Sequence, residues 1–222
     1  MTDIKKIGII GGSGALGSAL AKRFIKESFE VTIGSRSPEK VISKISESEK
    51  NLDVQNIKIQ GIAQTARETD LIFLTVPFAA HQKTVHEIKP HVHGKIVVDT
   101  TVPLVPPKVA RVQLPDSGCV ARKTQEMLGN DVQVVSALHN VAATALAKSE
   151  TPDGEVMVFG NNKEARETVI QLISKISLKG WHCGSIDNAV VAESLTPVLI
   201  FMNKFYSFKG SGIKIVDENM NE

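Results

Sequence analysis

Gly12, Gly14 and Gly17 stand at GxGxxG spacing within Gly11-Gly12-Ser13-Gly14-Ala15-Leu16-Gly17. Glycines so spaced serve one chemical end, bringing backbone amides against a pyrophosphate. Gly12 is read as permitting the tight turn, Gly14 as letting backbone approach the phosphates, and Gly17 as letting the following helix lie close on the sheet. Ser13, Ala15 and Leu16 complete the cradle, where the helix offers unpaired N–H groups and the positive end of its dipole. Alone the motif is weak. Here it follows the apolar run Ile7–Ile10 directly and opens a helical run, which is the context that a dinucleotide site requires.

The next strand end selects the dinucleotide. A site for NAD places an acid there to hold the ribose 2′-hydroxyl, whereas this chain has Gly34-Ser35-Arg36-Ser37. Ser35 can donate to a 2′-phosphate, Arg36 can pair with it and lie over the adenine, and Lys40 adds a second charge one helical turn on. The chain is therefore read as binding NADP(H). Two further loops, Thr75-Val76-Pro77-Phe78 with Gln82 beyond it and Asp99 to Leu104, leave strand ends and are expected to line the ribose and nicotinamide.

No nucleophile paired with a base is visible, and no catalytic side chain is assigned. A nicotinamide cofactor carries the difficult chemistry itself, so the protein's part is orientation and exclusion of water, and orientation can supply on the order of 7–11 kcal/mol. His91-x-His93 lies in a turn with no third ligand nearby, so no metal is expected. His81 and His86 are read as helix-surface residues, His182 as packed beside Trp181, and Cys183 as a small buried residue. Glu193 stands out in an apolar helix, where it would bind a backbone group, a neighbouring subunit or a ligand.

These residues need a scaffold of alternating strands and helices. Strands are expected at Ile7–Ile10, Val31–Ile33, Ile57–Ile59, Leu71–Val76, Ile96–Val98, Val132–Ala137, Val156–Phe159 and around Trp181. Helices are expected at Ala15–Ile25, from Pro38, at Phe78–Ile88, Ser117–Leu128, Lys163–Ile176 and Asn188–Phe205, the last kinked or unwound for one turn at Pro197. Thr100 to Pro115, with four prolines, reads as a loop-rich crossing. Apolar strands alternating with helices point to a Rossmann-type doubly wound parallel sheet with a small C-terminal α/β extension.

The 222 residues, 42% hydrophobic and 23% charged, suit a single domain spanning 1–222. A net charge of +2 is too small to imply nucleic acid. Two isolated cysteines fit a reducing cytoplasm, and neither a signal peptide nor a membrane span is expected. The apolar helix Val190–Phe205 is too sticky for a monomer surface and favours a homodimer.

Several segments together resemble the NADPH-dependent coenzyme F420 reductases. They are Ile9–Gly17, Gly34–Arg36, Val98–Leu104, Val135–Val141, Glu193–Pro197 and the ending Lys209–Ile215. The likeness runs from Ile7 to about Ile215. It implies reversible hydride transfer between nicotinamide C4 and C5 of a deazaflavin, coenzyme F420, as small-molecule co-substrate. It also implies that Ser13 to Leu16, Ser35, Arg36 and Lys40 hold the adenine half of NADP, with Phe78, Gln82, Leu104 and Ala143 along the rest. His139, Asn140, Val141 and Ala142 would face the deazaflavin, and amides around Val141–Ala143 would steady charge on its ring. Residues 131–222 would complete that site and the dimer interface. Lys204, Lys209 and Lys214 could receive an anionic tail, although the residues by themselves favour a solvated basic end. Other readings are an NADP-dependent flavin or ferric-chelate reductase, an imine or hydroxyacid reductase, and a non-enzymatic NADP(H) sensor.

Overall fold

The computed structural model describes residues 4–42, 57–148 and 152–217. Its strands are β1 (Lys6–Ile10), β2 (Glu30–Gly34), β3 (Lys58–Gln60), β4 (Leu71–Leu74), β5 (Ile96–Asp99), β6 (Gln133–Ser136), β7 (Glu155–Gly160) and β8 (Lys179–His182). The helices are α1 (Ala15–Lys26), α2 (Ile62–Glu68), α3 (Phe78–Ile88), α4 (Val120–Leu128), α5 (Ala143–Lys148), α6 (Lys163–Lys175) and α7 (Ala189–Phe205). The helix opened by Pro38 is seen over 38–42, and its continuation lies outside the described residues.

One eight-stranded sheet has the order β3-β2-β1-β4-β5-β6-β7-β8. The first six strands are parallel in the doubly wound order, which places the reversal between β1 and β4, where such sheets bind ligands. The extension departs from a wholly parallel sheet. β7 runs antiparallel to β6, and β8 then pairs parallel to β7.

Burial on both faces explains the unbroken apolar runs. On one face Phe24, Leu20 and Ala21 of α1 and Val169, Leu172 and Ile173 of α6 pack on the sheet, with Phe24 and Phe73 rings 5.3 Å apart. On the other face Val85 and Ile88 of α3, Ala121 and Leu128 of α4, and Ala189 and Ala192 of α7 cover Ile10, Ile72, Leu74 and Val97. Helices α1 and α6 stop in the same way. Serines 28 and 177 adopt φ of 64° and 63°, and the N–H groups of Phe29 and Leu178 reach back to the carbonyls of Phe24 and Ile173. Each is a Schellman cap with serine where glycine is usual.

Two helices, α2 and α5, escape a periodicity reading because each spans about two turns or fewer. Helix α4 starts three residues later than expected, at Val120, where the carboxylate of Glu193 meets its first amides. Pro197 neither unwinds nor interrupts α7, which is continuous over Ala189–Phe205. Among the described residues, no helix is long and apolar enough to cross a membrane.

Candidate functional site

At the C-terminal ends of β1, β2, β4 and β5 lies a cavity of about 710 Å³, lined from one end by Ser13, Gly14, Ala15, Leu16, Ser35 and Arg36 and from the other by Leu104 and Ala143. The end formed by the β1–α1 turn is suited to an anion. The N-terminus of α1 has no side-chain cap and no acid in its first turn, so its dipole is left facing the cavity. Gly14 lines the cavity, and a Cβ there would meet only the Gly11 carbonyl oxygen, at 3.3 Å. Gly17 lies beneath, where a Cβ would come 2.6 Å from Gly12 Cα and 2.8 Å from the Gly11 oxygen. Gly12 was read as permitting the tight turn; the residue of the turn with positive φ is Gly11, at 90°. Gly12 is instead pressed against the Ile33 side chain, 2.9 Å from where its Cβ would stand.

Ser35 follows β2 directly, its N–H bonded to the Gln60 oxygen at 3.0 Å. The Ser35 Oγ accepts the Ser37 N–H at 3.1 Å, which leaves its own proton free to donate outward. Arg36 is exposed at the rim of the cavity. Lys40 is exposed but outside the lining. Pro77 and Phe78, at the start of α3, line the cavity with Thr75, Thr84 and Ile62, whereas Gln82 faces a neighbouring cleft that shares only Phe78.

The far wall is the loop after β5. Thr100 bonds twice to the Leu74 oxygen, from its N–H at 3.2 Å and its Oγ1 at 3.0 Å. Thr100, Thr101, Val102 and Leu104 face the cavity. Behind them sits a polar group that the sequence did not reveal. His81, expected on the helix surface, is only 3% exposed, and its Nε2 lies 2.9 Å from Asp99 Oδ2. That face of α3 packs on α4, so the imidazole turns inward to a carboxylate. His86 is exposed, as read.

The loop after β6 turns at Leu138, whose φ of 72° makes a left-handed bend. Ala143 reaches the cavity, and Val141 and Ala142 are half-buried. The side chains of His139 and Asn140 turn inward, at 5% and 2% exposure. Burial pushes the His139 imidazole down to about 4, with Asp99 and the Thr101 backbone opposing, so the ring is neutral. Asn140 Nδ2 donates to the Glu155 oxygen at 2.5 Å. Of the amides expected to steady charge, the Val141 N–H is used by the Leu138 oxygen at 3.3 Å.

Helix α7 braces this region from behind. Thr196 Oγ1 donates to the His139 oxygen at 2.9 Å. Glu193, 0% exposed, accepts the Val120 and Ala121 N–H groups at 2.8 and 3.0 Å. Burial pushes its carboxyl up to about 8; the two amides pull it back and Asp99 adds to the rise. Of the readings open for Glu193, the backbone group is the one observed. Lys214 is paired with Asp153 at 2.9 Å, and Lys209 lines a second cavity with Thr144, Met202 and Phe208. His93 lies 3.5 Å from Asp131, and among the described residues no three metal-ligating side chains come together.

A family model described as NADP oxidoreductase, coenzyme F420-dependent, matches residues 6–103. The F420-dependent NADP reductase of Methanocaldococcus jannaschii is 34% identical over 221 residues, covering 96% of this chain and 98% of that one. The reductase of the same name from Methanothermobacter marburgensis is 30% identical over 220 residues, covering 96% and 98%. A crystal structure of a candidate F420-dependent NADP reductase from Arthrobacter sp. FB24 superposes with a TM-score of 0.80 at 23% identity, covering 96% of this chain and all of that one, a likeness of fold. Identity to the two archaeal reductases over nearly the whole length shows that the chain belongs to the F420-dependent NADP reductase family.

Proposed function

We propose that the chain transfers a hydride reversibly between NADP(H) and coenzyme F420, with NADP(H) lying along the cavity from Ser35 and Arg36 to Leu104 and Ala143. The observation that carries this placement is the uncapped, acid-free start of α1 sharing one cavity with Ser35 and Arg36. The α1 amides at Ser13–Leu16 take the pyrophosphate, and Ser35 and Arg36 take the 2′-phosphate. Lys40 contributes long-range charge from outside the lining. Pro77 and Phe78 hold the ribose, and Gln82 reaches it only by swinging from the adjoining cleft. When bound, NADPH supplies the hydride from its nicotinamide ring.

The protein's part is orientation and exclusion of water. Val141 and Ala142 border the acceptor ring, with the Ala142 and Ala143 amides toward it because the Val141 N–H is held by Leu138, and the buried His139 and Asn140 side chains shape that loop from within. Residues 131–222 complete the acceptor side. Phe201, Phe205, Tyr206 and Phe208 form an exposed aromatic chain with successive centroids 5.8, 4.8 and 5.3 Å apart. This surface is the homodimer interface in a cytoplasmic enzyme. Sedimentation of Phe205→Glu tests it: a monomer is expected where the unaltered chain is a dimer, and an unchanged dimer places the interface elsewhere.

Mixing the purified chain with NADPH and oxidised coenzyme F420 tests the reaction. Both chromophores should change in equal amounts, and NADH or FMN should serve poorly. Oxidation of NADPH by FMN at equal or greater efficiency would favour the flavin reductase reading, and NADPH binding with no acceptor reduced would favour a sensor.

A further inference from the structure

Asp99 ends β5, an otherwise apolar strand, and is fully buried. It does not line the cavity; the residues after it do. Its Oδ1 accepts the Thr101 N–H at 2.9 Å and so bends the chain into the cavity wall. Its Oδ2 is gripped from two helices, by His81 Nε2 of α3 at 2.9 Å and by Thr124 Oγ1 of α4 at 2.6 Å. A carboxylate only accepts, so the ring hydrogen sits on Nε2 and the threonine proton points to Oδ2. Burial pushes the Asp99 carboxyl up, and the hydrogen bond and electrostatic attraction of His81, with the bonds from Thr124 and Thr101, outweigh it, leaving the group below its ordinary value. A buried carboxylate with three donors is a rigid anchor, since its charge is compensated only while the Thr101 N–H and the two helices stay in place around it.

The wall that it anchors is the end of the cavity away from the phosphates. We propose that Asp99, held by His81 and Thr124, is a positioning residue that sets the 100–104 loop against the nicotinamide, governing hydride transfer without contributing to phosphate anchoring. This rests on the placement of NADP(H) in the cavity.

Three variants test it: Asp99→Ala, Asp99→Asn and Thr124→Val. Each is measured for kcat and KM with NADPH, and for the affinity of adenosine 2′,5′-bisphosphate, which carries the 2′-phosphate but no nicotinamide. Asp99→Ala strands the Thr101 N–H, whereas the Thr124 hydroxyl turns to the Val120 oxygen at 3.0 Å and the His81 N–H to Thr124 Oγ1 at 2.9 Å, so the loss falls on the 100–104 loop. We expect kcat to fall about tenfold to a hundredfold, the cost of a misplaced reacting ring. KM should rise less, and bisphosphate affinity should stay within about twofold. Asp99→Asn should recover much of the rate, because its oxygen still takes the Thr101 N–H and the imidazole can change tautomer to accept from the new amide. Thr124→Val should lower kcat in the same direction by less. If Asp99→Ala does not fold, the other two carry the same comparison. Parallel loss of kcat and bisphosphate affinity, or an Asp99→Ala rate equal to that of the unaltered chain, overturns the positioning role and leaves the cofactor placement standing. Failure of the unaltered chain to bind the bisphosphate while it binds NADPH overturns the placement itself, and the proposal with it.

Discussion

Replacing Gly17 by alanine puts a methyl group where the structure has no room. The new Cβ would stand 2.6 Å from Gly12 Cα, 2.7 Å from Thr75 Oγ1 and 2.8 Å from the Gly11 oxygen. Two of these atoms are backbone of the phosphate turn. The third is tied to the Ile10 oxygen at 3.0 Å, so it cannot swing aside cheaply. To relax the first contact from 2.6 Å to an ordinary 3.4 Å, α1 must withdraw from the turn by about 0.8 Å. Overpacking of this kind costs about 1–3 kcal/mol of stability.

The same movement stretches any amide–phosphate bond of about 2.9 Å past the useful range. Each such charge-assisted bond contributes about 1.5–3 kcal/mol, so losing one weakens NADPH binding roughly ten- to hundredfold. Gly14→Ala separates the two effects. Its Cβ would meet only the Gly11 oxygen, at 3.3 Å, so the fold should keep its stability while a methyl group at the cavity lining hinders the phosphates. Calorimetry of the free protein and fluorescence titration with NADPH read stability and binding separately. A Gly17→Ala protein that melts with the unaltered chain and binds NADPH within about twofold refutes the close-approach account.

Arg36→Ala should raise the dissociation constant for NADPH about tenfold or more and leave that for NADH nearly unchanged; equal losses for both would remove Arg36 from the 2′-phosphate. Glu193 has a folded-state value raised to about 8 from 4.5, so the folded chain holds a proton that the unfolded chain releases. Its contribution is complete below about 4.5 and is lost as pH rises through 8, at up to about 1.4 kcal/mol per pH unit. Glu193→Gln should therefore flatten the fall in melting temperature between pH 5 and 8, and an identical slope in both proteins would contradict the assignment. Ser28→Gly and Ser177→Gly, each at a left-handed cap, should raise stability by about 0.5–1 kcal/mol apiece, read as a higher denaturation midpoint with unchanged slope.

That Ser13 to Leu16 share one cavity with Ser35 and Arg36 was readable because the geometry of that end is local. Seven consecutive residues, from Gly11 after β1 to Gly17 within α1, decide which amides face outward, and their glycines are demanded by close contacts within the turn and with Ile33 and Thr75 beside it. The choice of dinucleotide was equally local, at Ser35 and Arg36. Positions set by distant packing were not readable. His81 on an amphipathic helix has the spacing of a surface residue, and only the approach of α4 and the end of β5 makes its site interior. Gln82, next along the chain, is sent to a different cleft by the same packing. Helices α2 and α5 were missed because so few turns carry little periodic signal. The strand expected at Val156–Phe159 is β7, but its antiparallel direction was missed because strand direction leaves no trace in an apolar run. His139 and Asn140 were read as contacts from the resemblance, yet the left-handed bend at Leu138 rotates their side chains into the interior.

The acceptor half is built differently from the phosphate half, and the chemistry gives the reason. A phosphate is held by fixed charge and by amides already aimed outward, so a helix end and two side chains suffice. A hydride moves only between rings in near contact, so the walls that set their separation must be stiff. Here the stiffness comes from polar groups behind the walls. Asp99 ties the 100–104 loop to α3 and α4, Thr196 ties the 138–142 turn to α7, and Glu193 ties α4 to α7. These three ties form one buried chain running from the loop after β5, through α4 and α7, to the loop after β6. The titratable groups of this region therefore lie behind the walls and not on the cavity surface, as expected of a protein whose chemical work is alignment and whose redox groups are brought to it.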